Sequence, residues 1–145
     1  MKFVKRTIII ELICGAFILL FVYTAVSKLQ DFGKFNVELA KSPILNPIAN
    51  WVGITVPFTE ISLCIFLIIK PFRLIGLYVS FSLMVLFSAY IIAILKFSSY
   101  IPCTCGGVLQ NMSWSGHLIF NIVFIALGGI GVLIYPARVK TLSAQ

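Results

Sequence analysis

Ile8-Ile-Ile-Glu11-Leu-Ile-Cys14-Gly-Ala-Phe-Ile-Leu-Leu-Phe-Val-Tyr-Thr-Ala-Val-Ser-Lys28 carries one acid between its first residue and the lysine that closes it. A bilayer's hydrocarbon core needs about 20 mostly apolar residues to be crossed as a helix. This stretch meets that length. Lys2, Lys5 and Arg6 precede it, which imitates a signal peptide. The apolar run continues to Val26, longer than a signal peptide's apolar region, and no small-residue cleavage site follows. It reads as a retained first span.

Three further stretches have the same character, at roughly 48–69, 74–97 and 116–135. The chain has 145 residues, 61% of them hydrophobic and 10% charged, with mean hydropathy +1.11. Such a composition excludes a water-soluble domain. The sequence predicts an all-α, four-helix transmembrane bundle, one integral membrane domain over 1–145. The bilayer of the cytoplasmic (inner) membrane is its first partner.

A net charge of +7 raises the question of nucleic acid, and the placement of the charges answers it. Residues 1–7, 70–73 and 136–145 hold Lys2, Lys5, Arg6, Lys70, Arg73, Arg138 and Lys140 and no acid. The opposite segments hold Lys28, Lys34, Lys41 and Lys96 beside Asp31 and Glu38. Cations concentrate on the cytoplasmic side of membrane proteins. The split predicts an N-in, C-in topology and no nucleic-acid partner. The loop between spans three and four then faces outward, where disulfide chemistry persists.

That loop contains Pro102-Cys103-Thr104-Cys105-Gly106-Gly107. Residues two apart lie at most about 7 Å from one another at Cα, and a disulfide prefers roughly 5.5–6 Å. A Cys103–Cys105 bridge needs a bent backbone, and closing so short a loop stabilises little. Strained, exposed disulfides are the labile ones. The pair suits thiol–disulfide exchange better than stapling, with a plain structural bridge as the alternative. His117, the sole histidine, is placed to assist proton transfer. Two cysteines and one histidine give too few ligands at irregular spacing for zinc, so no metal is expected.

Glu60 falls near the middle of the second span. A charge there costs roughly 2.5–3.5 kcal/mol on insertion scales, so it must face the bundle and be partnered or protonated. It is a candidate proton relay or polar anchor, against a packing hydrogen bond without chemistry. Pro57 frees the Gly53 carbonyl, and Thr55 and Thr59 are at hand for it. Glu11, one turn into the first span, is expected to reach Lys5 or Arg6, and Lys28 to mark the outer boundary. Cys14 and Cys64 lie in the inner half and read as inert small hydrophobes.

Between spans one and two, Phe32, Phe35 and Leu39 recur at helical spacing among Lys34, Glu38 and Lys41. A short amphipathic outer helix is expected there, ended by Pro43 and Pro47. It serves either as a connector or as a docking surface. Gly76, Ser80 and Ser82 in span three, and Gly128, Gly129 and Gly131 in span four, offer small faces for close packing. Tyr90 and Tyr100 fit the outer interface. Asn111-Met-Ser113 is a formal but weak glycosylation match.

This ensemble resembles the DoxX-like superfamily and, within it, the MauE (methylamine-utilisation) branch of redox-associated membrane proteins. The resemblance rests on four spans, Lys28-Leu29 with an aromatic outer loop, Glu60, and Cys103-x-Cys105-Gly106-Gly107. It implies thiol–disulfide handling outside the cytoplasmic membrane, supporting the maturation of partner proteins. The layout is also similar to vitamin K epoxide reductase, but only one residue separates these thiols and the first outer loop has no cysteine pair. The leading expectation has four site residues: Cys103, Cys105, His117 and Glu60. The thiols exchange with an extracytoplasmic thioredoxin-like protein or maturing client, and a quinone near Glu60 or a second partner takes the electrons. The alternative is a non-enzymatic membrane subunit or scaffold. A carrier with Glu60 at its midplane is a third reading, without the internal repeat such carriers show.

Overall fold

The computed structural model describes residues 2–97, 99 and 113–143; Cys103, Cys105, Tyr100 and the glycines after Cys105 lie outside them. The described residues form five helices and no strand. They are α1 (Lys2–Gln30), α2 (Phe32–Lys41), α3 (Ala49–Ile68), α4 (Arg73–Phe97) and α5 (Trp114–Ser143). A 3₁₀ turn, Asn46–Ile48, leads into α3, and another, Lys70–Phe72, joins α3 to α4. Each has proline at its second position, where a missing N–H costs nothing. The four long helices, two of them with the 3₁₀ turn that leads into them, give candidate spans at Val4–Gln30, Asn46–Ile68, Lys70–Phe97 and Trp114–Pro136. These ends fall within a few residues of the predicted ones.

The long helices close a ring in which α1 packs on α3, α3 on α4, α4 on α5 and α5 on α1. The core side of α1 is the stripe Ile10, Ile13, Cys14, Phe17 and Phe21, at three- and four-residue steps. It meets Leu63, Cys64 and Leu67 of α3 and Leu77 and Met84 of α4. Phe17 sits edge-on to Phe124 of α5 at 5.2 Å. Leu12, Leu19, Phe58 and Leu133 point outward, which suits a surface facing lipid tails.

In lipid, helices associate through close van der Waals packing rather than through hydrophobic exclusion, so small residues matter at the contacts. A Cβ on Gly76 would stand 3.1 Å from Leu67 Cδ2 and 3.3 Å from the Leu67 backbone nitrogen. One on Gly128 would meet Phe81 at 3.2 Å, and one on Gly131 would meet Ile13 and Leu77 at 3.3 Å. Ser80 is fully buried in the same seam. Ser82 is not; it faces outward and its hydroxyl donates to the Tyr78 carbonyl at 2.9 Å. Ser82 lies two residues past Ser80, about 200° round the helix, so it cannot share that face.

Contacts among Ile13, Leu67, Leu77 and Gly131 put the first half of α1 and the last turns of the α5 span at one end of the bundle. At that end Tyr135 donates from its hydroxyl to the Lys70 carbonyl at 3.0 Å. Glu11, expected to reach Lys5 or Arg6, is paired across the bundle with Arg73, 2.6 Å from Oε1 to Nη1. Arg73 starts α4 and is itself buried, with Nε donating to the Leu67 carbonyl at 2.8 Å. Helix crossing brings it closer than local spacing reveals.

The opposite end is covered by α2. Phe35 is buried while Lys34 and Lys41 are exposed, as the spacing predicts. Asn36 donates to Asn50 at 2.6 Å, and Gly53 leaves room for Asn36 to approach α3. The helix therefore packs down on α3 rather than only lying at the surface. Ser42, its C-cap, is fully buried and accepts from the Tyr90 hydroxyl at 3.0 Å. Tyr90 thus tethers α4 to the end of the covering helix. Pro57 sits within α3. The Thr59 hydroxyl donates to Thr55 at 2.8 Å, not to the Gly53 carbonyl that Pro57 frees.

Candidate functional site: a polar-headed cavity under α2

Beneath α2 the four long helices part around a cavity of about 600 Å³. Leu20, Phe21, Val56, Leu83, Phe87 and Phe120 make its walls apolar, and Phe35, Leu39 and Ile44 cover it from α2 and the following linker. Its polar groups are few and come from separate helices. Thr24 and Lys28 belong to α1, Glu38 to α2, Glu60 to α3, Tyr90 to α4, and Trp114, His117 and Asn121 to α5. A concave apolar site with a few convergent polar groups is the usual form of a small-molecule site.

The centre of the polar set is an ion pair. Lys28 Nζ lies 2.6 Å from Glu60 Oε1, and their side chains are only 8% and 1% exposed. Lys28 was expected to mark the outer boundary; it turns inward instead. It shares a face with Phe21 and Thr24, both also buried. The Phe35 ring lies 5.9 Å from the ammonium, within reach of a cation–π contact. Two charges withdrawn from water need mutual neutralisation, and a short charge-assisted bond provides it. Glu60 is therefore partnered, as its depth required.

His117 enters on the first turn of α5. Ser113 caps that helix, accepting the Gly116 N–H at its hydroxyl, 3.2 Å, and the His117 N–H at its carbonyl, 2.9 Å. The imidazole is buried and stacks on Trp114, centroids 6.3 Å apart and planes 10° from parallel. One turn further, Asn121 is also buried. Of the expected site residues, Glu60 and His117 line this one cavity. Cys103 and Cys105 lie outside the described residues.

Sequence reasoning read Lys28 as a boundary marker rather than a site residue and passed over Asn121. The signals were the seven-residue step from Phe21 to Lys28 and the four-residue step from His117 to Asn121. Both steps put the residue on a face that the structure shows to be inward. Cys64 is buried in the core and its thiol points to the Ile18 carbonyl at 3.8 Å. Neither Cys14 nor Cys64 is in a disulfide. Among the described residues no cluster of three His, Cys, Asp or Glu is arranged to hold a metal.

The family described as methylamine utilisation protein MauE matches residues 6–134. The chain belongs to the MauE family. The match takes in every residue of the cavity, all four spans nearly in full, and the segment bearing Cys103 and Cys105. Neither a curated protein nor a solved structure matches the chain. With four long apolar helices, this MauE-family chain is a multi-pass protein of the cytoplasmic membrane.

Proposed function

We propose that this MauE-family protein carries out thiol–disulfide exchange through Cys103 and Cys105 with an extracytoplasmic partner, as an accessory to methylamine utilisation. The partner is a thioredoxin-like protein or a maturing client. The observation that carries the reading is the convergence of Glu60, Lys28 and His117 on one apolar cavity. That cavity lies at the end of the bundle where α4 stops and α5 begins. The sequence between those two helices holds the cysteine pair.

In the oxidising direction a partner thiolate attacks one sulfur of a Cys103–Cys105 disulfide. The S–S bond breaks, a mixed disulfide forms, and the second cysteine leaves as a thiolate. The partner's second thiolate then displaces the chain's sulfur. The partner departs with a disulfide, and the chain holds two thiols and two more electrons. Of the two expected acceptors, a quinone or a second partner, a quinone takes up two electrons and two protons when bound. The cavity fits such a group, because its walls are apolar and buried polar atoms of Glu60 and Asn121 lack partners there. Lys28 holds Glu60 in place, the Asn121 amide would donate to a ring oxygen, Glu60 would accept from a ring hydroxyl once the ring is reduced, and His117 exchanges protons near the start of α5.

The same exchange run in reverse has a chain thiolate attack a partner disulfide and the chain's second thiol resolve the mixed disulfide, so removing that second thiol traps it. One of Cys103→Ser and Cys105→Ser should yield a higher-mass band with the partner that vanishes on reduction. The double variant should yield neither band nor function. Function retained in all three, with no band in cells that express the partner, would leave a non-enzymatic membrane subunit.

A further inference from the structure

Two residues that line the cavity each have a buried side-chain atom without a hydrogen-bond partner, Glu60 Oε2 and Asn121 Nδ2. Glu60 is 1% exposed and Asn121 3%. Buried polar atoms are paired in folded proteins, and each exception calls for an explanation. The two residues come from α3 and α5, diagonal in the helix ring. One atom can only accept and the other can only donate. The ligand they complement therefore offers both a donor and an acceptor.

We infer that the cavity prefers a quinol to the corresponding quinone, with Asn121 donating to one ring oxygen and Glu60 accepting from a ring hydroxyl. This rests on the proposed quinone acceptor and adds which redox form the site holds. Lys28 already neutralises Glu60, so the head group is uncharged. A quinone has only acceptors. It satisfies Asn121 but sets a carbonyl oxygen against a buried carboxylate oxygen. A quinol has hydroxyls that donate as well as accept, and both atoms are met. A lipid acyl chain meets neither. Phe21, Phe87, Phe120 and Trp114 supply aromatic wall for a ring.

Thr24 stands beside Glu60, and its hydroxyl is directed to the Phe21 carbonyl at 3.3 Å. Should it turn, a carboxylate oxygen still has a second acceptor site. Lys28 acts here as a positioning residue, since it fixes Oε1 and leaves Oε2 for the ligand. The preference has a redox consequence. Tighter binding of the reduced form makes the bound couple a stronger oxidant, by about 30 mV for each tenfold in a two-electron couple. That is the direction that draws electrons out of a dithiol.

The protein carries its own reporter. It has two tryptophans, and Trp51 is 76% exposed whereas Trp114 lines the cavity. In a Trp51→Phe chain with Cys103→Ser and Cys105→Ser, decylbenzoquinone should quench Trp114 without electron exchange. Decylhydroquinone should relieve that quenching with about tenfold greater affinity than quinone shows. Its dimethyl ether, which has the same shape but cannot donate, should compete no better than the quinone. Asn121→Leu should weaken both redox forms and keep the preference. Lys28→Met with Glu60→Leu, which removes the pair as a unit, should keep quinone binding and lose the preference. Equal competition by hydroquinone and its ether, or a preference surviving the Lys28–Glu60 replacement, would overturn the inference. Because the cysteines are absent here, a failure to trap a mixed disulfide would sink the exchange reading and leave this result standing.

Discussion

Arg73 reaches across the bundle from the first residue of α4 to Glu11 of α1, Nη1 to Oε1 at 2.6 Å, while its Nε holds the Leu67 carbonyl at the end of α3. One side chain thus ties three helices at the end opposite the Lys28–Glu60 pair. The two charged contacts differ in surroundings. Lys28 and Glu60 are both buried, whereas the Glu11 side chain is 48% exposed.

Loss of Arg73 should therefore cost more than loss of its acid partner. Arg73→Ala leaves the Leu67 carbonyl unpaired in a buried place, a loss of about 1–3 kcal/mol. Glu11→Gln keeps an amide oxygen that can accept from Arg73 Nη1 and leaves the Leu67 tie intact, so it should cost less. Thermal unfolding in detergent micelles should show the larger fall in Tm for Arg73→Ala. Equal falls would mean that the tie to Leu67 contributes nothing.

The contrast between these two pairs also marks how far the sequence can be read. The spans were legible because about 20 apolar residues in a row admit few other readings. The covering helix was legible from Phe32, Phe35 and Leu39, and Glu60 stood out as a lone acid in an apolar run. Its partner was not. Lys28 closes an apolar run, and a cation there reads first as a boundary, although its spacing from Phe21 also puts it on the buried face. Arg73 was invisible as a partner for Glu11 because only the folding of α4 against α1 brings them together. Asn121 was missed because a neutral amide among apolar residues gives no charge signal. The cysteine pair remains a reading of sequence alone.

Glycine substitutions should separate tight seams from open ones. At Gly76 a new Cβ would meet the Leu67 backbone, which cannot step aside as a side-chain tip can. Gly76→Ala should destabilise by roughly 1–3 kcal/mol through overpacking. Gly15 also lies within a helix, but nothing stands within 4 Å of a Cβ there. Gly15→Ala should stabilise by about 0.5–1 kcal/mol, since alanine loses less freedom in a helix. Unfolding of the two variants side by side should move Tm in opposite directions.

The charge split predicts sidedness. With both termini cytoplasmic, a membrane-impermeant maleimide added to intact cells after mild reduction should label Cys103 or Cys105. Cys14 and Cys64, 2% and 6% exposed, should stay unlabelled. Labelling that requires permeabilised cells would invert the topology, and would place the thiols in a reducing compartment where stable disulfides are rare.

The Lys28–Glu60 pair yields the most discriminating stability test. Breaking a buried pair from one side leaves an uncompensated charge, which costs about 3–5 kcal/mol, whereas replacing both partners by apolar residues of similar size is often neutral. Lys28→Met and Glu60→Leu should each lower Tm strongly. The double variant should recover most of the loss, a strong coupling in the double-mutant cycle. Two small, additive losses would mean that each group is solvated on its own. With the expected coupling, the double variant is a folded chain that lacks only the charged head of the cavity. With the resolving cysteine also replaced by serine, its partner trapping should persist, because exchange at the loop does not use the pair. Turnover with a quinone as acceptor should fall. Loss of trapping in a well-folded double variant would show that the pair serves partner docking rather than the acceptor side.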